Sequence, residues 1–496
     1  MVEKSATLIT LNKAAAEPIH LQIYTRFKEA IESGLLNDGD RVPSTRVLAS
    51  ALNVARGTVE TAYSMLLGEG IFVSKGQAGS FVHAPFRPAG KATSAPVRPS
   101  QASSLSHAGS GPVASGPSHV FLPGSPAYDA FPRKVWSRLA SRRMRSLSAH
   151  DFSYRDPLGY LPLRQSIATY LRLSRGVVCE PQQVFITVGY QGALDFLSRC
   201  LNLRGADVWM EDPGYILATR MLADLGAHLV RVPVDQEGMV VSEGIRMSPK
   251  ARLAIVTPSH QSPLAMALSW SRRMQLLDWA GSTGAWVIED DYDGEFRYSG
   301  YPLPSLKSLD QYDRVIYAGT FSKTLFPALR LGYLVMPQSL VDSCTEKAQL
   351  YPLGSSIGPQ LVVNDFIAEG HFSRHLKKMR SLYAERREMT SKVLMDVLGD
   401  LIEINAHKNG MHFAARIISQ HADQAIADGF NRLGYGIHAL SRWTANPGQS
   451  AHLPGIHSPH LPGIHSPHNG LIIGFTNIPN ARTAELAARQ LQTFFT

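Results

Sequence analysis

Apolar residues recur every four positions at Ile19, Ile23, Phe27 and Ile31, a spacing that predicts a helix with Gly34 placed to stop it. An Asn37-Asp38-Gly39-Asp40 turn follows, and Pro43-Ser44-Thr45 opens a second helix with Ser44 as its N-cap. Val47, Leu48 and Leu52 are expected to face inward from it. After a break at Asn53, a third helix starts at Arg56-Gly57-Thr58 and carries an apolar stripe of Val59, Ala62, Tyr63, Leu66 and Leu67 towards Gly70. Residues 71–73 and 80–82 flank a glycine turn at 76–79 and read as a small β-hairpin. Together these elements predict a mostly α winged helix-turn-helix.

Beyond it the pattern lapses. Residues 84–118 are Ala, Pro, Ser and Gly with almost nothing to bury, and read as a flexible to semi-extended linker. The chain thus divides into a head over residues 1–83, a linker over 84–118 and a large domain over 119–496. In the large domain, helical stretches alternate with short β-rich runs at 184–186, 207–210, 253–257, 286–288 and 315–317. That alternation predicts an α/β domain around a largely parallel sheet. A basic run at 133–145 has helical period; it reads either as auxiliary phosphate contact beside the linker or, the favoured reading, as a first amphipathic helix of the large domain, with Trp136, Leu139 and Met144 expected buried and its arginines solvated. At 452–459 the string HLPGIHSP is followed at once by its copy at 460–467. Its Pro and Gly predict a loop, and no carboxylate or Cys stands near its histidines to complete a metal site. No metal is expected.

At 496 residues, with 44% hydrophobic and 18% charged residues, the chain has the length and composition for a substantial core. Its first residues hold no apolar stretch of signal-peptide length, and no run reaches about 18 apolar residues, so no membrane partner is expected. Cys179, Cys200 and Cys344 are odd in number and far apart, which fits a reducing, cytoplasmic setting. The net charge of +9 says less than its location. Residues 1–83 carry eight Lys/Arg and eight Asp/Glu, whereas residues 84–150 carry nine Lys/Arg against Asp129 alone. Charge therefore does not mark the head as a DNA binder; its pattern must.

The second helix of such a motif presents its N-terminal residues to the major groove, here Arg56, Thr58 and Thr61. Arg reads guanine bidentately, and Thr reaches a base edge or a phosphate. Arg41, Ser44 and Arg46 suit phosphate positioning. On periodicity alone, a small helical domain that docks on protein fits as well. The string GDRVPSTRVLASALNVARGTVETAYSMLLGEGIFVSKGQAGSFV decides between them. Over roughly residues 18–83 the chain resembles the GntR family of winged-helix repressors, through Arg41, Pro43, Ser44, Arg46, Arg56, Gly57, Thr58 and the wing glycines Gly76 and Gly79.

A second set of residues suits a phosphorylated aldehyde. Lys323 follows the run at 315–317, flanked by Thr320 and Ser322 and trailed by Arg330, so an imine and a phosphate can be held together. Taken alone, a lysine beside hydroxyls is usually a surface residue. Asp290, at the end of an apolar run, can face a pyridine nitrogen, and Tyr292 the ring's phenolic oxygen. Gly189, Tyr190 and Gln191 join a strand to a helix whose backbone N–H groups can cradle a phosphate. Tyr215 offers a ring to stack on a flat cofactor.

These parts together resemble fold-type I aminotransferases over about residues 120–496, and with the head the whole chain resembles the MocR subfamily of GntR regulators. The likeness runs through Tyr154-Arg155-Asp156-Pro157-Leu158-Gly159, Glu211-Asp212-Pro213-Gly214-Tyr215, Thr257-Pro258-Ser259-His260-Gln261, EDDYDGEFRY at 289–298 and GTFSK at 319–323. It implies pyridoxal 5′-phosphate as cofactor, with Lys323 the imine lysine, Asp290 the pyridine partner and Tyr292 the partner of the phenolic oxygen. It implies Gly189, Tyr190, Ser322 and Arg330 on the phosphate and Tyr215 on the ring.

Two departures bear on function. Ser262-Pro263-Leu264-Ala265 stands where relatives often carry an aromatic residue and Pro-Thr-Gly. Ile472 aligns with an Arg that clamps the substrate carboxylate in aminotransferases, and Leu217 stands where some amino-acid-sensing relatives carry Arg. Without that clamp, efficient transamination is not expected, and no catalytic residue is assigned. The expected function is a cofactor-dependent DNA-binding transcription regulator. Its partners are double-stranded operator DNA and a small effector, either pyridoxal phosphate or an amino compound sensed through the Lys323 imine. By resemblance it is a homodimer with the heads crossed onto the partner. A working aminotransferase with an appended DNA-binding head is the alternative, and a large domain that only dimerises is a third.

Overall fold

The computed structural model describes residues 11–12, 17–83, 120–298, 304–351, 353–354, 356–404, 409–444 and 469–495. The linker 84–118 and the duplicated stretch 452–467 lie outside the described residues.

The head is built as its pattern predicts: α1 (Ile19–Glu32), α2 (Thr45–Leu52), α3 (Arg56–Gly68), then an antiparallel hairpin of β1 (Phe72–Ser74) and β2 (Ser80–Val82). Ser44 caps α2, its hydroxyl accepting from the Val47 amide at 3.3 Å. Asn53 takes the left-handed conformation that ends α2. Phe27, Tyr63 and Phe72 meet edge to face, with centroids 5.2–5.6 Å apart, so α1, α3 and the wing share one aromatic core. The Tyr63 hydroxyl donates to the Pro43 carbonyl at 2.7 Å and fixes α3 against the start of α2. One expectation fails here: Val47 is exposed, whereas Leu48 and Ala49 are buried. Successive helical residues turn by about 100°, and the buried face of this short helix runs through 48 and 49 instead.

In the large domain, α4 (Arg133–Arg145) precedes α5 (Leu161–Ser174), and then strands and helices alternate. An eight-stranded sheet has the order β3-β10-β9-β8-β7-β4-β5-β6. Its centre is parallel: β4 (Asp207–Asp212), β5 (His228–Asp235), β7 (Leu253–Val256), β8 (Trp286–Asp291) and β9 (Val315–Thr320). β3 (Val184–Thr187), β6 (Gly238–Met239) and β10 (Gly332–Val335) pair antiparallel. β3, β7 and β10 are buried at every position, as expected of strands covered on both faces of the sheet. Helix α6 (Gly189–Cys200) follows β3 and α7 (Ile216–Asp224) follows β4. Two further helices, α8 (Ile357–Ala368) and the 28-residue α9 (His371–Leu398), lead to a four-stranded antiparallel sheet in the order β11-β12-β14-β13. These strands are β11 (Ile402–Ile404), β12 (His412–Ile417), β13 (His438–Ala439) and β14 (Gly470–Gly474).

The basic run forms α4 with the predicted bounds, but its packing differs from expectation. Met144 is exposed, and Arg142 and Arg143 are not simply solvated: both bond Asp365, and Arg142 also bonds Glu369. The cause is the acidic face of α8, more than 200 residues away and invisible to local periodicity. The head, for its part, seats on α9 of its own chain in this single-chain structure, with the Gly68 end of α3 against Ser373, rather than on a partner as the resemblance implies.

Candidate functional site

In the head, the first turn of α3 is open to solvent. Arg56 and Gly57 are exposed and Thr58 is half-buried. Arg56 Nε lies 2.8 Å from Glu60 one turn on, so its guanidinium is held extended along the helix. Thr61 donates back to the Gly57 carbonyl at 2.9 Å. Arg41 bridges to Phe81 of the wing and lies against Gly79, and Arg46 is exposed on α2. Ser44 and Arg46 thus lie at the start of α2, Arg56, Gly57, Thr58 and Thr61 in the first turns of α3, Gly79 in the wing turn, and Arg41 in the segment before α2 that pairs with the wing.

The second site forms where the parallel strands end, the usual ligand position in such sheets. β8 ends in three consecutive carboxylates, and the alternation of a strand sends them to different fates. Glu289 accepts from the Leu306 and Lys307 amides at 2.7 and 2.8 Å. Asp291 is paired with buried Arg175, whose Nε lies 2.6 Å away, and accepts from Tyr317 at 2.6 Å. Asp290 points to the other face, beside Tyr190, and pairs with no cation among the described residues. Burial raises its carboxyl to about 8, with the Tyr190 hydroxyl pulling partly the other way. Such a group is a carboxylate in want of a cation.

Lys323 lies across from it, in the helical turn Phe321–Thr324 after β9. Thr320 caps that turn, its hydroxyl accepting from the Ser322 amide at 3.1 Å. Burial holds the lysine's pKa below its usual value, and nearby Asp293 and Asp290 oppose the shift. Its amine donates to the Gly124 carbonyl at 2.8 Å. Gly124 was not singled out from sequence, because nothing local links it to a lysine 199 positions on; the Pro123-Gly124 pair marks only a turn. With φ at +65°, a Cβ at Gly124 would stand 2.8 Å from Nζ. Gly124→Ala is expected to displace the amine and to weaken pyridoxal phosphate binding about tenfold, a loss of roughly 1.4 kcal/mol, as an absorbance titration would read. Wild-type affinity would show that the carbonyl does not position the lysine.

Around these two groups, Gly189, Tyr190 and Gln191 form the first turn of α6, and Tyr215 stands at the N-terminus of α7 with its centroid 6.1 Å from that of Tyr190. Burial raises the Tyr215 hydroxyl to about 12, with Asp290 adding to the rise and Arg330, exposed and in the left-handed conformation, partly offsetting it. Tyr292 contacts His260, hydroxyl to Nδ1 at 2.9 Å, and the same Nδ1 lies 2.9 Å from buried Asp293. His260 and Asp293 lie within strings that carry the family likeness, yet no role was read for them. Their pairing, 33 residues apart, needs the fold. Glu211, raised to about 7 by burial, accepts from the Thr257 hydroxyl at 2.6 Å and anchors the loop that holds Gln261. Ile472 is buried on β14, opposite Ala414 and His438, and Leu217 is exposed on α7. A buried carboxyl with no ion pair among the described residues, a half-buried amine near it and a helix N-terminus at Gly189–Gln191 fit pyridoxal phosphate.

Residues 19–82 match the family described as bacterial regulatory proteins, gntR family, and residues 126–426 match aminotransferase class I and II. A probable rhizopine catabolism regulatory protein, MocR, of Rhizobium meliloti is 38% identical over 88% of this chain and 89% of its own length. The pyridoxine biosynthesis transcriptional regulator PdxR of Corynebacterium glutamicum is 31% identical over 89% and 92%. An archaeal alanine:glyoxylate aminotransferase superposes with a TM-score of 0.66 at 24% identity, covering 76% of this chain and 90% of that one, a likeness of fold. The head and large domain described above thus have their counterparts joined in single relatives along nearly the whole chain, and the protein belongs to the MocR-type GntR transcription regulators, whose winged helix is fused to an aminotransferase-like domain.

Proposed function

We propose that this regulator grips double-stranded operator DNA with its head and reads pyridoxal phosphate, or an amino compound that reacts with it, in its large domain. The observation that carries the reading is Asp290, a buried carboxyl with no ion pair among the described residues, close enough to the half-buried Lys323 to raise that amine's pKa against the downward pull of burial. Bound there, pyridoxal phosphate supplies an aldehyde reactive towards amines and an electron-withdrawing ring. Asp290 would pair with the ring nitrogen, Tyr292 with the phenolic oxygen, and Tyr215 would cover a ring face. The amides of Gly189, Tyr190 and Gln191, the hydroxyls of Thr320 and Ser322, and Arg330 hold the phosphate. Lys323, its amine kept less protonated by burial, is the covalent anchor.

Transaminase turnover is the second reading, and the intact lysine and aspartate favour it. Against it stands Ile472, a buried apolar side chain at the position where the resemblance implies an Arg that clamps the substrate carboxylate. We therefore assign sensing rather than catalysis, in the cytoplasm, by a homodimer whose two heads read two half-sites.

The test is anisotropy binding to the DNA upstream of its own gene, with and without pyridoxal phosphate. Tight, sequence-specific binding altered by the cofactor supports the reading; absence of specific binding in both states rejects it. Arg56→Ala is expected to weaken specific binding about tenfold or more, with loss of discrimination at one base pair. Its thermal midpoint should stay within about 1 °C of wild type, because the Arg56–Glu60 pair is exposed. Unchanged affinity would remove Arg56 from the interface.

A further inference from the structure

Helix α9 touches both sites. On the head side, Ser373 donates to Glu69, which also accepts from Tyr24 and from Lys28 at 3.0 Å. Gly68, the last residue of α3, comes so close that a Cβ there would stand 2.7 Å from the Ser373 carbonyl oxygen. On the cofactor side, His375 Nε2 donates to the Thr324 carbonyl at 2.9 Å, and Thr324 is the residue after Lys323. Arg380 does both at once. Its Nε donates to the Glu295 carbonyl at 2.8 Å, and its Nη1 donates to the Gly68 carbonyl. Glu295 lies five residues past Asp290, on the turn that leaves β8. One guanidinium thus joins the segment after the ring-nitrogen carboxylate to the C-terminal end of the helix whose first turn is aimed at DNA.

We propose that α9 couples the two sites, with Arg380 as the positioning residue that transmits cofactor state to α3. The inference rests on the cofactor reading above. A carbonyl at a helix C-terminus carries partial negative charge, so the Arg380 bond holds α3 at a set angle on α9. Occupying the space between Asp290 and Lys323 shifts the two segments that His375 and Arg380 grip. The head then exchanges between a seated and a tilted position on Ser373. Such coupling is reciprocal: the factor by which pyridoxal phosphate alters DNA affinity is the factor by which DNA alters pyridoxal phosphate affinity.

The experiment uses the full chain, wild type, Arg380→Ala and Gly68→Ala, each with and without pyridoxal phosphate, read by amide hydrogen exchange and DNA anisotropy. Gly68→Ala keeps α3 intact, since Ala favours a helix, and disturbs only its seating. In wild type, the cofactor should change exchange over residues 62–70 and change DNA affinity. In both variants, each response should shrink to within about twofold of none, while cofactor absorbance shows uptake as in wild type. Variants that respond like wild type, or a loaded wild type with no exchange change at 62–70, overturn the coupling. Failure of the cofactor reading looks different, because wild type then takes up no cofactor. In that case DNA itself is the probe. It should alter exchange at residues 290–295 and 321–325 in wild type but not in Arg380→Ala, and equal behaviour of the two overturns the coupling.

Discussion

Lys323→Ala is expected to abolish covalent retention of pyridoxal phosphate and, with it, the cofactor's effect on DNA binding. Borohydride reduction followed by dialysis should leave cofactor on the wild-type chain and none on the variant. The remaining contacts, to ring nitrogen and phosphate, still allow reversible binding, but apparent affinity should fall at least about 100-fold, a loss of roughly 3 kcal/mol. The physical ground is the amine's surroundings. Half-buried and in a turn capped by Thr320, Lys323 pays a desolvation penalty as an ammonium, so more of it is the free amine that attacks a carbonyl. Anisotropy then separates two cases. If DNA affinity of the variant no longer depends on added pyridoxal phosphate, covalent attachment is part of the switch. If the dependence survives intact, occupancy alone carries the signal and Lys323 is dispensable for it.

The head was legible almost residue by residue, because its information is local. The Ser44 cap, the break at Asn53 and the hairpin after Gly70 are each set by neighbours within a few positions. Val47 escaped because an eight-residue helix holds too few turns to fix its buried face. In the large domain, strand ends were legible for the same reason: Asp290 lies in the last residues of β8, and Lys323 in the helical turn that directly follows β9. What stayed hidden is long-range. Three adjacent carboxylates, 289–291, look alike in sequence, and only the structure shows that two are satisfied by Leu306, Lys307, Arg175 and Tyr317. Gly124, His260 with Asp293, and the Arg380 bridge are pairings that no period encodes.

Asp290→Asn should separate binding from stability in opposite directions. In the unfolded chain this carboxyl titrates near 3.8; in the folded, cofactor-free protein burial raises it to about 8. Between those values the folded state holds one proton more than the unfolded state, so this group lowers stability as pH rises, by roughly 1.4 kcal/mol per pH unit. The contribution is fully present below pH 4 and gone above pH 8. Asn carries no such proton. The cofactor-free variant should therefore match wild type near pH 4.5 and exceed it at pH 8 by a few kcal/mol, about 2–5 °C in thermal midpoint. Glu211, Glu289 and Glu295 also titrate upward, but they do so in both proteins, and the difference isolates Asp290. Binding moves the other way: the ring nitrogen loses the carboxylate that compensates its charge, and affinity for pyridoxal phosphate at pH 8 should fall about 100-fold, because one buried partner of an ion pair has been removed. Denaturation curves at the two pH values, beside a cofactor titration, decide it. A variant less stable than wild type at pH 8 would mean that Asp290 already has a partner in the cofactor-free fold. A variant that binds the cofactor as tightly as wild type would mean that the ring nitrogen lies elsewhere. The same buried carboxyl that makes the empty site costly at high pH is what selects a cationic ring, and only the part of that binding free energy that differs between two positions of the head can move it.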